Sequence, residues 1–230
     1  MIMSRSLMVV GTIVGMVIAT PALSQTRSNG SVPDDTSSRP YIALSGGLVL
    51  PEPLRTSAGV EATLDDGYFG AGAIGRRFGP IRAEIEGSYR AASVNSASGF
   101  GLRAAGTGRV SALSGMVNAY FEPSFGLGSI RPYFGGGIGV SRFRARGVSA
   151  IGLPIIAPQT SLGSITGSKT VLAYQGMAGL SGPVTGNVTA SFGYRYFATP
   201  GTTLTAPLIG NVRIRGLRTH GIEAGLRFAF

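Results

Sequence analysis

The pair of residues that most resembles a general acid–base site is His220 with Glu223. A histidine titrates near neutral pH, and a carboxylate can hold its ring in a catalytic orientation. However, apolar and polar residues alternate around this pair, which is typical of a β-strand whose side chains point to opposite faces. Ile222 therefore follows on the face of His220, and Glu223 lies on the other face. We predict no catalytic residues and no enzyme activity.

Metal-binding chemistry has few candidate ligands. The chain has one His and no Cys, so carboxylates would have to bind any metal. Glu61, Asp65 and Asp66 could bind Ca²⁺ in a loop, but a solvated acidic loop is the default interpretation. The Gly135-Gly136-Gly137 run is not followed by a predicted helix, so it does not indicate a phosphate-binding loop. We predict no metal and no cofactor.

A larger group of charged residues occupies alternate positions of three segments. Segment 81–90 has apolar residues at most odd positions and Arg or Glu at most even ones, and segments 188–197 and 220–230 repeat this pattern. On a soluble sheet these charges would face water, whereas facing lipid would cost up to ~2–4 kcal/mol each. In a membrane barrel they must point inward, where counting along the strands places Arg195 beside Glu223. We predict one polar network in the lumen, formed by Arg82, Glu84, Glu86, Arg90, Arg195, Glu223 and Arg227.

The elements that would position these residues are eight strand-like segments. Links of long and short length alternate between them, as in membrane barrels with long outer loops and short periplasmic turns. The long links are 51–66, 91–109, 144–169 and 198–219. Alternation is weak in the second, fourth, fifth and sixth segments because Gly and Ala occupy both faces. The predicted strands are Tyr41–Leu50, Gly67–Phe78, Ile81–Arg90, Val110–Phe121, Arg131–Phe143, Thr170–Leu180, Val188–Phe197 and His220–Phe230.

Composition and the N-terminus agree with an exported β-protein. The 37 Gly disfavour helix interiors, and no apolar run is long enough for a spanning helix. Arg5, the apolar stretch 7–19 and the small residues around Ser24 have the pattern of a cleaved signal peptide. We therefore predict a signal peptide at 1–24, a flexible periplasmic lead at 25–38 and a barrel domain at 39–230.

Several segments resemble the OmpA-like or porin-family small outer-membrane barrels. They include the hairpin segment 67–90, Asn118–Phe121, 131–140, Gly193–Tyr196 and the final strand, which ends on Phe230. The resemblance implies an all-β, eight-stranded antiparallel up-and-down transmembrane barrel in the bacterial outer membrane, without a peptidoglycan-binding domain. It also implies that Phe228 and Phe230 belong to the signal that the barrel-assembly machinery reads.

Function is less constrained by the sequence than the fold. A structural or surface-interaction barrel that supports envelope integrity is the first hypothesis, and a narrow small-solute channel is the alternative. Some small barrels modify lipid A with a His, a Ser and an acid, which makes such an enzyme a remote third.

The net charge of +10 does not indicate nucleic-acid binding, because many of these charges are lumenal or gather near the predicted outer rim. Guanidinium groups pair well with phosphate. We expect a monomer in outer-membrane lipid, with lipopolysaccharide phosphates as partners or, equally well, a solvated basic loop face. The candidate contacts are Arg142, Arg144, Arg146, Arg213, Arg215 and Arg218.

Overall fold

The computed structural model describes residues 39–55, 61–99, 102–151, 165–206, 210–214 and 216–230. The predicted signal peptide (1–24) and periplasmic lead (25–38) lie outside the described residues and stay predictions. Within the described ranges, no helix is long and apolar enough to cross a membrane.

Eight long strands form a closed, antiparallel, up-and-down barrel, as the sequence predicts. Each pairs with the next in chain order, and β1 pairs with β12 to close the ring from Tyr41↔Ala229 to Pro51↔Thr219. Closure leaves the barrel without a free sheet edge. The barrel strands are β1 (Pro40–Pro51), β4 (Gly67–Phe78), β5 (Ile81–Gly99), β6 (Leu102–Phe121), β7 (Arg131–Ile151), β8 (Ile165–Pro183), β9 (Val188–Ala198) and β12 (Arg218–Ala229). The described ranges also contain four short strands: β2 (Leu54–Arg55), β3 (Glu61–Leu64), β10 (Thr202–Ala206) and β11 (Gly210–Ile214).

Several predicted bounds were wrong at the outer end. The predicted loop 91–109 is mostly strand, because β5 and β6 continue to Gly99 and from Leu102. Likewise β7 and β8 run through much of the predicted loop 144–169. The other two predicted loops each contain short strands: β2 and β3 in one, and the separate β10–β11 hairpin in the other. About ten residues suffice to cross a bilayer, so β5 to β8 project well beyond it.

The opposite end has short turns. Phe78 pairs with Ile81, so Gly79-Pro80 forms a two-residue turn. Gly79 has φ 59°, a left-handed conformation that such hairpin turns need and that glycine adopts without steric cost.

The outer surface of the barrel carries an apolar band. Ile85 and Ile138 leave 71% and 72% of their surface exposed, and their cross-strand neighbours Ile74 and Val117 are also exposed and apolar. Exposed Tyr68 and Tyr194 lie near the outer ends of β4 and β9, and exposed Phe78 and Phe121 lie at the opposite ends of β4 and β6. An apolar band between aromatic girdles is the lipid-contacting surface of a membrane barrel.

Candidate functional site

The centre of the lumen contains an ion-pair cluster around Arg195. Its Nε lies 2.7 Å from Oε2 of Glu223, and its Nη1 lies 2.9 Å from Oε2 of Glu86. The side chain of Arg195 lies on the inward face of β9. Glu223 lies on the inward face of β12, and Glu86 lies on that of β5. The sequence therefore predicted both the facing and the Arg195–Glu223 pair correctly.

Two amides complete this central cluster. Asn118 Nδ2 donates to Oε2 of Glu86 at 3.0 Å, and Gln175 Nε2 donates to Oδ1 of Asn118 at 2.8 Å. Gln175 Oε1 accepts from Arg195 Nη1 at 3.0 Å, which closes a ring of contacts across the lumen. Neither amide was predicted from the sequence, because each lies on a strand whose alternation is too weak to identify its buried face. Such extensive hydrogen bonding is what buried charges require.

A second cluster, at the periplasmic end, centres on Glu122. Its Oε1 lies 3.0 Å from Arg82 Nε and 2.9 Å from Arg227 Nη2, and its Oε2 lies 3.6 Å from Arg77 Nη1. The Arg82 contact is an ion pair rather than an aligned hydrogen bond, since that Nε has no acceptor in good geometry. Glu122 comes directly after β6 and is buried. Sequence reasoning had placed it in a turn, where no strand alternation indicates its facing.

Arg82 joins this periplasmic cluster to Glu84. Its Nη1 pairs with Glu84 Oε1, and the Tyr41 hydroxyl donates to the same carboxylate oxygen at 2.7 Å. The Arg82 guanidinium also lies 4.2 Å from the ring centre of Tyr120. Among the described residues, the predicted members thus fall into two ion-pair clusters rather than one common network, and Arg227 belongs to the cluster that lacks Glu223.

Glu122 lies beyond the spanning part of β6, and its protonation depends on this cluster. Burial raises the pKa of its carboxyl, but Arg82 and Arg227 lower it by more, so the pKa lies below its ordinary value. The carboxylate is therefore charged at neutral pH and balances the arginines at this end of the lumen.

Arg90 faces inward as predicted but belongs to neither cluster. Its guanidinium stacks on the Phe197 ring, 3.4 Å from the centroid, and its Nη2 donates to Ser88 Oγ at 3.4 Å. Among the described residues it forms no ion pair with a carboxylate, and its Nε has no acceptor. Arg90 thus lies within electrostatic reach of Glu86 and Glu223 but makes no direct hydrogen bond or ion pair with either.

Glycines on the inward face of β7 make room for these side chains. A Cβ on Gly137 would lie 2.0 Å from Oδ1 of Asn118, and one on Gly135 would lie 2.4 Å from the Tyr120 ring. Gly136, between them, faces outward and has only one atom within 4 Å of such a Cβ. The weak alternation of this strand thus results from lumen packing, which needs small residues opposite large ones.

His220 lies on the outer face of β12, beside the tyrosine margin of the band. Its Nδ1 contacts the Tyr194 hydroxyl, and its Nε2 lies 3.0 Å from Oε1 of Glu52. The acidic partner is therefore not Glu223 but a residue that follows β1. The hydroxyl partner is a phenol, and neither contact is to a serine. This arrangement anchors the ring at the interface and lacks the Ser that the lipid A-modifying hypothesis requires.

The predicted basic residues lie in two separate groups, and the first is on β7. Arg142, Arg144 and Arg146 are exposed and continue the outward register of Ile138 and Val140. Arg109 pairs with Arg146 in the ladder and is also exposed. These four residues form an outer basic patch above the apolar band.

The second predicted basic group is less well described. Arg218 is exposed, and its Nη1 lies 4.0 Å from Glu52, which offsets part of its charge. Arg213 lies in the β10–β11 hairpin rather than on the approach to β12, and the structure describes its backbone only. Arg215 lies outside the described residues.

The two aromatic residues of the predicted assembly signal lie at the end of β12. Phe228 pairs with Ile42 on one side and Val188 on the other. Phe230 is 70% exposed, and its N–H donates to the Pro40 carbonyl at 3.1 Å. Their recognition by the assembly machinery stays a prediction.

Metal ligation finds no support in the same geometry. Among the residues that the structure describes, no group of three or more His, Asp or Glu side chains is placed to bind a metal ion.

Comparisons with solved structures identify the fold. Neisserial surface protein A matches with a TM-score of 0.54 at 18% identity, covering 83% of this chain and 97% of that one. The outer-membrane protein OprG from Pseudomonas aeruginosa matches with a TM-score of 0.50 at 13% identity, covering 83% and 97%. The outer-membrane protease OmpT from Escherichia coli matches with a TM-score of 0.53 at 11% identity, covering 87% and 99%.

Comparison of the amino-acid sequence, unlike that of the fold, gives no match. No protein-family model matches the chain, and no curated protein matches it. The closed eight-stranded barrel and its apolar outer band define a small transmembrane β-barrel, and its fold is the one seen in the bacterial outer-membrane proteins that it matches.

Proposed function

We propose that this protein is a structural, surface-exposed barrel that contributes to envelope integrity and surface interaction, with a lumen closed to solutes. The observation that carries the proposal is the pair of ion-pair clusters. Arg195 with Glu86 and Glu223 crosses the centre, and Glu122 with Arg82 and Arg227 crosses the periplasmic end. A solute would have to break buried ion pairs at two successive levels, and buried pairs are costly to break.

One observation favours the alternative of a narrow channel. Small side chains such as Ala43, Ser45, Ala71 and Ala73 line one side of a cavity of about 40 Å³ in the lumen. Arg195, Glu223 and Arg227 line the same space. If the ion pairs rearranged, a solute could pass along this side of the lumen, because its side chains are small.

Planar-bilayer recording of the refolded wild-type barrel tests between the two. A closed lumen predicts no lasting conductance steps, and a known porin in the same bilayer serves as the positive control. A steady conductance proportional to voltage in the wild-type barrel would overturn the proposal and support the channel.

The outer basic patch indicates a partner for the exposed surface. Arg109, Arg142, Arg144 and Arg146 lie above the apolar band on adjacent strands β6 and β7, where lipid headgroups would surround them. Guanidinium groups bind phosphate through paired hydrogen bonds. We therefore propose lipopolysaccharide phosphates as the ligands of this patch.

Binding of lipopolysaccharide to the refolded barrel at increasing salt tests this assignment. Replacing Arg142, Arg144 and Arg146 together with Gln should weaken binding and flatten its salt dependence, because screening acts on the charges removed. A matched control replaces Arg55, Arg76 and Arg131, which leaves the patch intact. Equal binding by the triple patch variant and the parent would refute the assignment.

A further inference from the structure

The turn between β6 and β7 carries exposed apolar side chains at the periplasmic end of the barrel. Phe125 and Leu127 leave 71% and 87% of their surface exposed, and Ile130, at the end of the turn, leaves 49%. Val184, in the turn after β8, is also exposed. A Cβ on Gly182 would lie 3.6 Å from Cγ1 of Ile130, so the two turns are adjacent. We call Phe125, Leu127, Ile130 and Val184 the periplasmic apolar tip.

The end of the β6–β7 turn is a closed hairpin. The Leu127 N–H donates to the Ile130 carbonyl at 3.0 Å, and the Ile130 N–H donates to the Leu127 carbonyl at 3.2 Å. Gly128, between them, has φ 63°, the left-handed conformation that tight hairpin turns require. Residues directly opposite in an antiparallel bridge share a face, so Leu127 points to the same side as Ile130. The backbone groups of both residues are thus satisfied within the turn, as contact with lipid requires.

The tip continues the lipid-contacting band of the barrel. Ile130 lies four residues before exposed Phe134, and Val184 lies four residues after exposed Leu180. Because side-chain direction alternates along a strand, both tip residues prolong the outward faces of the adjacent strands β7 and β8. The tip is therefore contiguous with a surface that already faces lipid.

Spacing along β7 places the tip at the edge of the membrane. The outward residues from Ile130 to Val140 are uncharged, and the next one, Arg142, belongs to the outer basic patch. The step from Ile130 to Val140 is ten residues. At ~3.3 Å per residue and a tilt of ~40°, it spans roughly 25 Å, which is the height of an apolar band. Ile130 thus lies at the periplasmic margin of the hydrocarbon, and Phe125 and Leu127 lie beside the headgroups.

The charge of the turn agrees with this position. Residues 123–130 contain no charged side chain, and the carboxylate of Glu122, just before them, is buried in the lumen. The β4–β5 hairpin at the same end differs, because Arg76 and Arg77 come shortly before its turn. An aromatic and two aliphatic side chains on an uncharged turn favour the boundary between headgroups and acyl chains over water.

We propose that the periplasmic apolar tip inserts into the periplasmic leaflet of the outer membrane, with Phe125 and Leu127 at the boundary between phospholipid headgroups and acyl chains. Its continuity with the lipid-contacting band favours lipid over a protein as the partner. The inserted tip fixes the depth of the β6–β8 side of the barrel. This inference goes beyond the role proposed above and does not depend on it, because the state of the lumen leaves this outer surface unchanged.

Fluorescence of a single introduced Trp tests the insertion, since the chain has no Trp. Leu127→Trp is refolded into vesicles of phosphatidylethanolamine and phosphatidylglycerol. Ile138→Trp is the lipid-facing control, and Asn187→Trp is the exposed control at the periplasmic end. Lipids brominated near the headgroup should quench Leu127→Trp at least threefold more than Asn187→Trp, and acrylamide should quench it at least threefold less. Acrylamide quenching equal to that of Asn187→Trp, or no quenching by brominated lipid, would overturn the proposal and favour a periplasmic protein as the partner.

A second measurement avoids the preference of Trp itself for the interface. The chain has no Cys, so Leu127→Cys and Asn187→Cys each supply one thiol. In the same vesicles, a charged water-soluble maleimide should label Leu127→Cys at least tenfold more slowly than Asn187→Cys, whereas in urea the two rates should be equal. Equal rates in the vesicles would refute insertion of the tip.

Discussion

Arg195 on β9 and Glu223 on β12 form an ion pair inside the barrel, with 2.7 Å between Nε and Oε2. The same guanidinium reaches Glu86 on β5, which lies 109 residues away in sequence and across the lumen. One arginine therefore joins neighbouring strands to the opposite wall. Because both carboxylates and the guanidinium are buried, the three groups depend on one another for charge compensation.

The first prediction concerns this pair. Glu223→Ala leaves part of the Arg195 charge uncompensated and should lower the free energy of unfolding by about 3–5 kcal/mol. Glu61→Ala is the control, since the Arg55–Glu61 pair is exposed and such pairs contribute at most about 1 kcal/mol. Urea unfolding in detergent micelles, followed by the gel mobility of folded and unfolded barrel, measures both. Equal losses in the two variants would contradict a stabilising role for the lumen cluster.

The second prediction concerns acid stability. The pKa of Glu122 is depressed in the folded barrel, so its contribution is fully present above the ordinary carboxyl pKa, about 4.3. It is lost as pH falls through the depressed pKa, because the folded state must then take up a proton against Arg82 and Arg227. Glu122→Gln should be less stable at pH 7 and should lose less stability between pH 5 and pH 2. Urea unfolding across this range measures both slopes, and parallel pH profiles would count against the assignment.

The third prediction concerns the glycines of β7. A Cβ at Gly137 would meet Asn118 Oδ1 at 2.0 Å and the Val117 carbonyl at 3.0 Å, so Asn118 must move away from Glu86. We expect Gly137→Ala to destabilise the barrel by about 1–3 kcal/mol, the usual cost of overpacking. Gly136→Ala, one residue away on the lipid face, should cost much less. Similar midpoints for the two variants in urea unfolding would show that lumen packing tolerates the methyl group.

The fourth prediction concerns His220. If its contacts with Glu52 and Tyr194 only anchor it at the interface, His220→Ala should leave the lipid A of the host outer membrane chemically unchanged. Mass spectrometry of lipid A from cells with the wild-type barrel, the variant or no barrel makes this comparison. A lipid A species present only with the wild-type protein would reopen the enzyme hypothesis.

Much of the fold and part of the lumen followed from local sequence. Side-chain direction reverses at each residue of a strand. The alternation at Ile81–Arg90 therefore predicted that Arg82, Glu84 and Glu86 face the lumen and that Ile85 faces lipid, as the structure shows. Counting from the periplasmic ends of the two strands, Val188 and Phe230, placed Arg195 next to Glu223 at a similar depth, and the register of β9 and β12 agrees.

Other features required the tertiary structure. Glu122 lies outside any strand, Asn118 and Gln175 lie on weakly alternating strands, and Glu52 reaches His220 only after β1 pairs with β12. Whether Arg90 finds a carboxylate depends on the stagger of all eight strands around the barrel, which sets the heights at which opposite walls meet. Local periodicity determines which face a side chain occupies, whereas barrel closure determines which partner it meets across the lumen.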